Sequence, residues 1–131
     1  MRYLGIDYGS KRIGIAVSDD EGRMAFPVGF IPNRGKTAIK EIGDRIRKEH
    51  INLIVIGMPM GLDGKETEQT HATRLFIAAL RNTIQLPIET ENEMLTSKMA
   101  QASGMKDGHI DASSAAIILQ SYLDRRNKLD L

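Results

Sequence analysis

The sequence predicts a single α/β domain on a mixed five-stranded sheet, with an antiparallel meander followed by parallel strands joined through helices. Three observations predict it. The first third carries three β-like runs separated by very short turns. The hydrophobic period then changes from two to helical spacing. After that comes a continuous apolar run, Leu53-Ile-Val-Ile-Gly57, as a strand covered on both faces requires.

In chain order, the three runs cover residues 2–7, 12–18 and roughly 24–31, with Asp19-Asp20-Glu21-Gly22 as the second turn. Ile39, Ile42 and Ile46 then mark one side of a helix between Lys36 and His50, with charges on the other side. After the apolar strand, Met58-Pro-Met-Gly-Leu-Asp-Gly-Lys65 is too rich in Gly and Pro for regular structure and reads as a loop. Ala72, Leu75, Phe76, Ala79 and Leu80 define a second amphipathic helix, and Pro87 to about Thr90 a short strand. Leu95, Met99 and Ala102 support a short third helix, and Ala112, Ala115, Ala116, Leu119 and Leu123 a last one. No repeat or linker interrupts the order, so residues 1–131 read as one domain with a frayed tail from about Arg126.

Composition removes several function classes. The chain has no cysteine, which excludes disulfides, thiolate metal sites and thiol nucleophiles, and suits a reducing, cytoplasmic setting. The opening Arg-Tyr-Leu-Gly-Ile-Asp lacks the layout of a signal peptide, and no apolar run approaches the ~20 residues of a membrane span. A net charge of +1 gives no global attraction for a polyanion, so nucleic acid would need a local basic patch. Three Phe, three Tyr and no Trp make a stacking-based single-strand binder less attractive.

Three carboxylates carry candidate chemistry. Asp7 falls just past the first predicted strand, where an acid is either a turn residue or a ligand at a sheet rim. In Ile88-Glu-Thr-Glu-Asn-Glu-Met94, strand alternation sets Glu89, Glu91 and Glu93 on one side. Glu89 reads as a solvated edge residue. Glu93 adjoins the next apolar segment at a strand-to-helix corner, and spacing separates it little from Glu91. Asp111 opens the last helix, where an acid complements the helix dipole. It also borders the Ala112–Ala116–Leu119 stripe, where a charge needs a partner such as a divalent cation. Small residues at 112, 113, 115 and 116 would let this helix lie close to the sheet. Three acids at element ends form an all-oxygen donor set suited to Mg²⁺ or Mn²⁺. Zinc is disfavoured, because there is no cysteine and His50, His71 and His109 show no ligand spacing. His109 reads as an aid to the site beside Asp111 or as a surface residue.

Four segments stand in order along the chain: Gly5-Ile-Asp-Tyr-Gly-Ser-Lys-Arg-Ile-Gly-Ile-Ala-Val-Ser-Asp19, Val55-Ile-Gly-Met-Pro-Met-Gly-Leu-Asp-Gly64 with Gln69, Glu93-Met-Leu-Thr-Ser97, and Ile110-Asp-Ala-Ser-Ser-Ala-Ala-Ile-Ile-Leu-Gln-Ser-Tyr-Leu-Asp124. Together they resemble the YqgF/RuvX family of small RNase H-like nucleases related to the Holliday-junction resolvase RuvC. The resemblance runs from Tyr3 to Asp124. It implies an RNase H-like fold and carries over Asp7, Glu93 and Asp111 as the acidic triad, choosing Glu93 over Glu91. It also implies phosphodiester hydrolysis, with the family linked to trimming of the pre-16S rRNA 5′ end and, in some members, to junction cleavage. In this sequence Asn92 stands where the family has an acid and Met94 where it has an arginine. A basic group that would orient the glutamate or meet a phosphate is therefore absent, which implies lower activity or a different substrate.

On this reading, Asp7, Glu93 and Asp111 hold one or two Mg²⁺ or Mn²⁺ ions against a scissile phosphate, with Asp107 or Glu91 as a candidate fourth acid. Lys11 and Arg12 read either as phosphate contacts or as a solvated hairpin tip. The 58–65 loop, with Gly61, Asp63 and Gly64, reads as a lid or a plain connector. Lys106, Arg125, Arg126 and Lys128 would extend a nucleic-acid footprint or merely complement helix dipoles. The expected partners are pre-rRNA or branched DNA, in the context of a ribosomal precursor particle, with the protein a monomer or weak homodimer. Two other readings compete. Sugar kinases, actin and heat-shock ATPases open with a similar strand, Asp-x-Gly turn and strand, but their site lies between two such domains. A non-catalytic nucleic-acid-binding assembly factor would bind with salt sensitivity and without turnover.

Overall fold

The computed structural model describes residues 1–92 and 110–129, and within the last helix the side chains of 114–128. The chain forms β1 (Tyr3–Tyr8), β2 (Arg12–Ser18), β3 (Ala25–Pro32), α1 (Lys36–Glu49), β4 (Leu53–Met58), α2 (Glu68–Thr83), β5 (Ile88–Asn92) and α3 (Ile110–Leu129). The sheet order is β3-β2-β1-β4-β5, with β1–β2 and β2–β3 antiparallel and β1–β4 and β4–β5 parallel. The short turns predict the meander, and the two helical crossovers account for the parallel pairs. The predicted helix over 95–102 lies outside the described residues.

Strand alternation divides the core into two layers. Leu4, Ile6, Ile13, Ile15, Ile54 and Ile56 point to the face covered by α1 and α2, where they meet Ala38, Ile42, Phe76 and Leu80. Tyr3, Ala16, Leu53 and Val55 point the other way, onto Ala115, Ile118, Leu119 and Leu123 of α3. Both faces of β4 are covered, which explains its unbroken apolar run. β3 lies at the sheet edge and carries a bulge at Val28, between the Ile15–Gly29 and Ala16–Pro27 pairs.

The C-terminal tail differs from its prediction. α3 continues to Leu129 instead of fraying from Arg126. Side chains near its end are held by the rest of the fold: Asn127 donates to the Gly22 carbonyl, and the Arg126 guanidinium lies 5.4 Å from the Tyr3 ring centroid. Gln120 adds a further tie, accepting from the Ala25 N–H and donating to the Arg23 carbonyl. These long-range contacts replace the apolar stripe that the tail lacks.

Candidate functional site

Asp7 is the penultimate residue of β1, the central strand, and is half-buried. It lies inside the strand, one step earlier than its sequence placement past the strand end. Hydrogen bonds pin the chain just after it. Gln69 of α2 donates to the Tyr8 carbonyl at 2.9 Å, and Asn33 donates to the Gly9 carbonyl at 2.8 Å. Tyr8 itself stacks on Phe76, ring centroids 4.3 Å apart. Gly9 has no alternative: a Cβ there would stand 2.5 Å from the Arg12 carbonyl, which the Gly9 N–H needs as its acceptor. The strand end bearing Asp7 is thus tied to α2, to β2 and to the segment between β3 and α1.

A second glycine sets how the last helix meets this strand. Tyr3, Gly5 and Asp7 share the α3 face of β1. Tyr3 meets Tyr122, with ring centroids 6.0 Å apart, while a Cβ on Gly5 would stand 2.8 Å from Leu119 Cβ and 2.9 Å from the Ala115 carbonyl. Two residues of strand and four of helix advance by nearly the same length, about 6–7 Å. α3 therefore runs opposite to β1, so its N-terminal end lies toward the Asp7 end of the strand. A glycine inside a strand is a mark of close backbone approach, and this is what Gly5 provides.

The other predicted site residues distribute as follows. Glu93, Met94, Lys106, Asp107 and His109 lie outside the described residues, as does the side chain of Asp111. Among the described residues no group of three His, Asp or Glu could hold a metal ion. Lys11 and Arg12 are exposed in and after the β1–β2 turn, with Arg12 5.0 Å from the Phe30 ring centroid. Gly61, Asp63 and Gly64 form a closed turn rather than an unsupported flap. The Gly61 N–H donates to the Lys65 carbonyl at 2.8 Å, Asp63 accepts from the Lys65 N–H at 3.0 Å, and Gly64 takes φ +77°. Its far end enters α2 through a capping box between Thr67 and Thr70, whose hydroxyl also donates to the Pro59 carbonyl.

Glu91, a candidate fourth acid, differs from Glu89 in its burial. Register pairs Val55 with Glu89 and Gly57 with Glu91, so both acids point to the α3 face. Glu89 is exposed, but Glu91 is only 7% exposed, and its Oε2 stands 3.0 Å from Arg125 Nη2. The alignment is not that of a hydrogen bond, so Oε2 accepts none among the described residues. Arg125 and Arg126, predicted as footprint or dipole residues, are both engaged, with Glu91 and Tyr3 respectively. No local pattern announces the Glu91–Arg125 pair, because its partners come from distant segments. Gln69 is equally silent in periodicity.

An antiparallel meander continued by parallel strands, with a closing helix laid across β1, is the architecture of RNase H-like proteins. Thermus thermophilus RuvC, solved in complex with a Holliday junction substrate, shares the fold at TM-score 0.59 and 14% identity, over 97% of this chain and 96% of that one. A ROK hexokinase from the same organism also shares it, at TM-score 0.51 and 18% identity, but this chain covers only 39% of that protein. The family model for RuvX, described as Holliday junction resolvase, matches residues 1–125, and the chain belongs to this family. A relative from Sulfurihydrogenibium sp. (strain YO3AOP1), named "Putative pre-16S rRNA nuclease", is 43% identical over 132 aligned positions, covering 95% of this chain and 90% of its own length.

Proposed function

We propose that the chain is a metal-dependent nuclease acting on structured nucleic acid in the maturation of the pre-16S rRNA 5′ end, in the cytoplasm. Its family and the name of its relative make it a hydrolase of phosphodiester bonds. The observation that supports the finer reading is the antiparallel run of α3 over β1, which directs the end of the helix that carries Asp111 toward the Asp7 end of the strand.

The donor chemistry fits a hard cation, since the candidate ligands Asp7, Glu93 and Asp111 are all carboxylates. These three would hold the Mg²⁺ or Mn²⁺. When bound, such a cation supplies Lewis-acid activation of water and charge stabilisation of the leaving 3′ oxygen. The chain's own part is positional. Gln69 and Asn33 fix the backbone beside Asp7, so its carboxylate is presented without a reorganisation cost. Lys11 and Arg12, exposed by the turn, neutralise phosphates flanking the cut. Water adds to phosphorus, the P–O3′ bond breaks, and the leaving oxygen takes up a proton, giving a 5′ phosphate and a 3′ hydroxyl.

The family description favours branched DNA as the second substrate class. The test is a single panel of precursor rRNA, single strands and a four-way junction, each with Mg²⁺ or Mn²⁺, for the parent and Asp7→Asn. The parent is expected to cut precursor rRNA, and Asp7→Asn to lose cleavage at least a hundredfold while its circular dichroism is unchanged. Equal cleavage by the variant overturns the metal site. Salt-sensitive binding without turnover by the parent assigns a non-catalytic assembly factor instead.

A further inference from the structure

The register of the sheet places a second feature in line with Asp7. Asp7 pairs with Gly14 on β2, and Gly14 with Phe30 on β3, so all three share the α3 face. Gly14 is buried and contributes no side chain, so Phe30 is the next side chain along this row. Two strand spacings separate Phe30 from Asp7, roughly 10 Å. The ring is 48% exposed, on an edge strand where nothing in the apolar core requires an aromatic. The other exposed phenylalanine of this strand, Phe26, pairs with Val17 and so faces the opposite side.

Cations gather on the turn side of the ring, while Glu41 and Asp44 of α1 line the cavity on its other side. Arg12 stacks on Phe30 at 5.0 Å from the centroid, and Lys11, Arg34 and Lys36 are exposed nearby in the flanking segments. No acid occurs from residue 25 to residue 40. The Asn33 N–H donates to the Lys11 carbonyl at 2.9 Å, which draws the two basic segments together. A half-exposed aromatic under a guanidinium, with further bases in the flanking segments, suits a ligand that is both polyanionic and planar. A nucleic-acid strand has both properties, whereas an acidic protein surface has only the charge and an aliphatic one has neither.

We propose that Phe30 is a base-stacking residue that receives a nucleobase next to the scissile phosphate, with Arg12 completing the slot. This rests on the nuclease reading and deepens it, because it makes the strand beside the cut unpaired. A fully duplex substrate offers no free base face at this position, so single-stranded character at the cut becomes a requirement.

Binding without turnover isolates the contact. RNA and DNA oligonucleotides carrying 2-aminopurine at successive positions are titrated in EDTA with the parent, Phe30→Leu, Phe30→Trp and Asp7→Asn. The parent should change 2-aminopurine fluorescence at one position. Phe30→Leu should lose that signal and bind about 5- to 100-fold more weakly, with an unchanged salt slope, while Phe30→Trp restores both. Arg12→Gln should reduce the salt slope by about 1. If Phe30→Leu binds and reports like the parent while Asp7→Asn is inactive in the cleavage panel, the stacking slot is wrong and the nuclease reading stands. If Asp7→Asn cuts like the parent, the metal site at Asp7 is wrong and Phe30 has no scissile phosphate beside it; if the parent binds without cutting, the nuclease reading itself is wrong. A change in self-association of Phe30→Leu by sedimentation, with binding intact, would assign the edge to a second copy and overturn the proposal.

Discussion

Replacing Gly5 by alanine probes the contact that brings α3 down onto the sheet. The added carbon would stand 2.8 Å from Leu119 Cβ and 2.9 Å from the Ala115 carbonyl, where ordinary contact begins at 3.4 Å. Neither obstacle is the far end of a flexible side chain, so the helix itself must retreat, by about 0.6 Å at this point. Overpacking of this kind costs about 1–3 kcal/mol. For a domain of this size that is a fall in Tm of roughly 4–12 °C. Activity should fall further than stability explains. The first turn of α3, with Asp111, moves with the helix, and displacements near 1 Å at a reacting centre cost up to about a hundredfold. The expected kcat loss is about tenfold with KM little changed. Gly43→Ala on α1 is the control of opposite sign, since its carbon would meet only Arg47 Nη1 at 3.7 Å. It should raise stability by about 0.5–1 kcal/mol and leave cleavage alone. Calorimetry and single-turnover cleavage give both readings. A Gly5→Ala protein melting within a degree of the parent would refute the close-approach reasoning.

Two further predictions concern ionisable groups. Arg125→Ala strands the buried Glu91 carboxylate and should destabilise by about 1–2 kcal/mol, a figure held down by the 58% exposure of Arg125. Adding Glu91→Gln should recover most of that loss in urea melts. The Asp19 carboxyl is held below its ordinary 3.8 by the backbone N–H of Arg23, at 2.8 Å, and then by that of Met24, at 3.2 Å. Its folded pKa is depressed, so its stabilisation is full above pH 3.8 and disappears as pH falls through the folded value. Asp19→Asn should therefore flatten the acid limb of a Tm–pH profile below about pH 4 and leave activity at neutral pH unchanged.

The β1–β3 meander was legible because Leu4–Ile6 and Ile13–Ile15–Val17 alternate cleanly and their turns are too short for a crossover. The Ile39–Ile42–Ile46 stripe and the two-sided run of β4 were equally direct, since each reports burial by nearby elements. Glu91 was not legible. Alternation placed it on the side of Glu89, but only the arrival of Arg125 from α3 decides that one is buried and the other is not. The end of α3 was misread for the same reason: Gln120, Arg126 and Asn127 are polar, and their partners Arg23, Ala25, Tyr3 and Gly22 belong to the other end of the chain. Of the acidic triad, Asp7 is the member whose surroundings the described structure supplies. The tie from Gln69 and the row to Phe30 required the register between strands, which no single segment encodes.

The β3 edge has a consequence for handling the protein. Its eight residues, Ala25–Pro32, carry no charge, and an uncharged edge of that length is a template for uncontrolled strand pairing. Two features interrupt it: Pro27 and Pro32 offer no N–H, and the Val28 bulge breaks the ladder between them. Replacing Pro27 with a β-branched residue would leave the monomer fold intact yet invite filament growth from this edge during concentration or refolding. Within this strand, two imino acids and a bulge interrupt the edge where no charged side chain does.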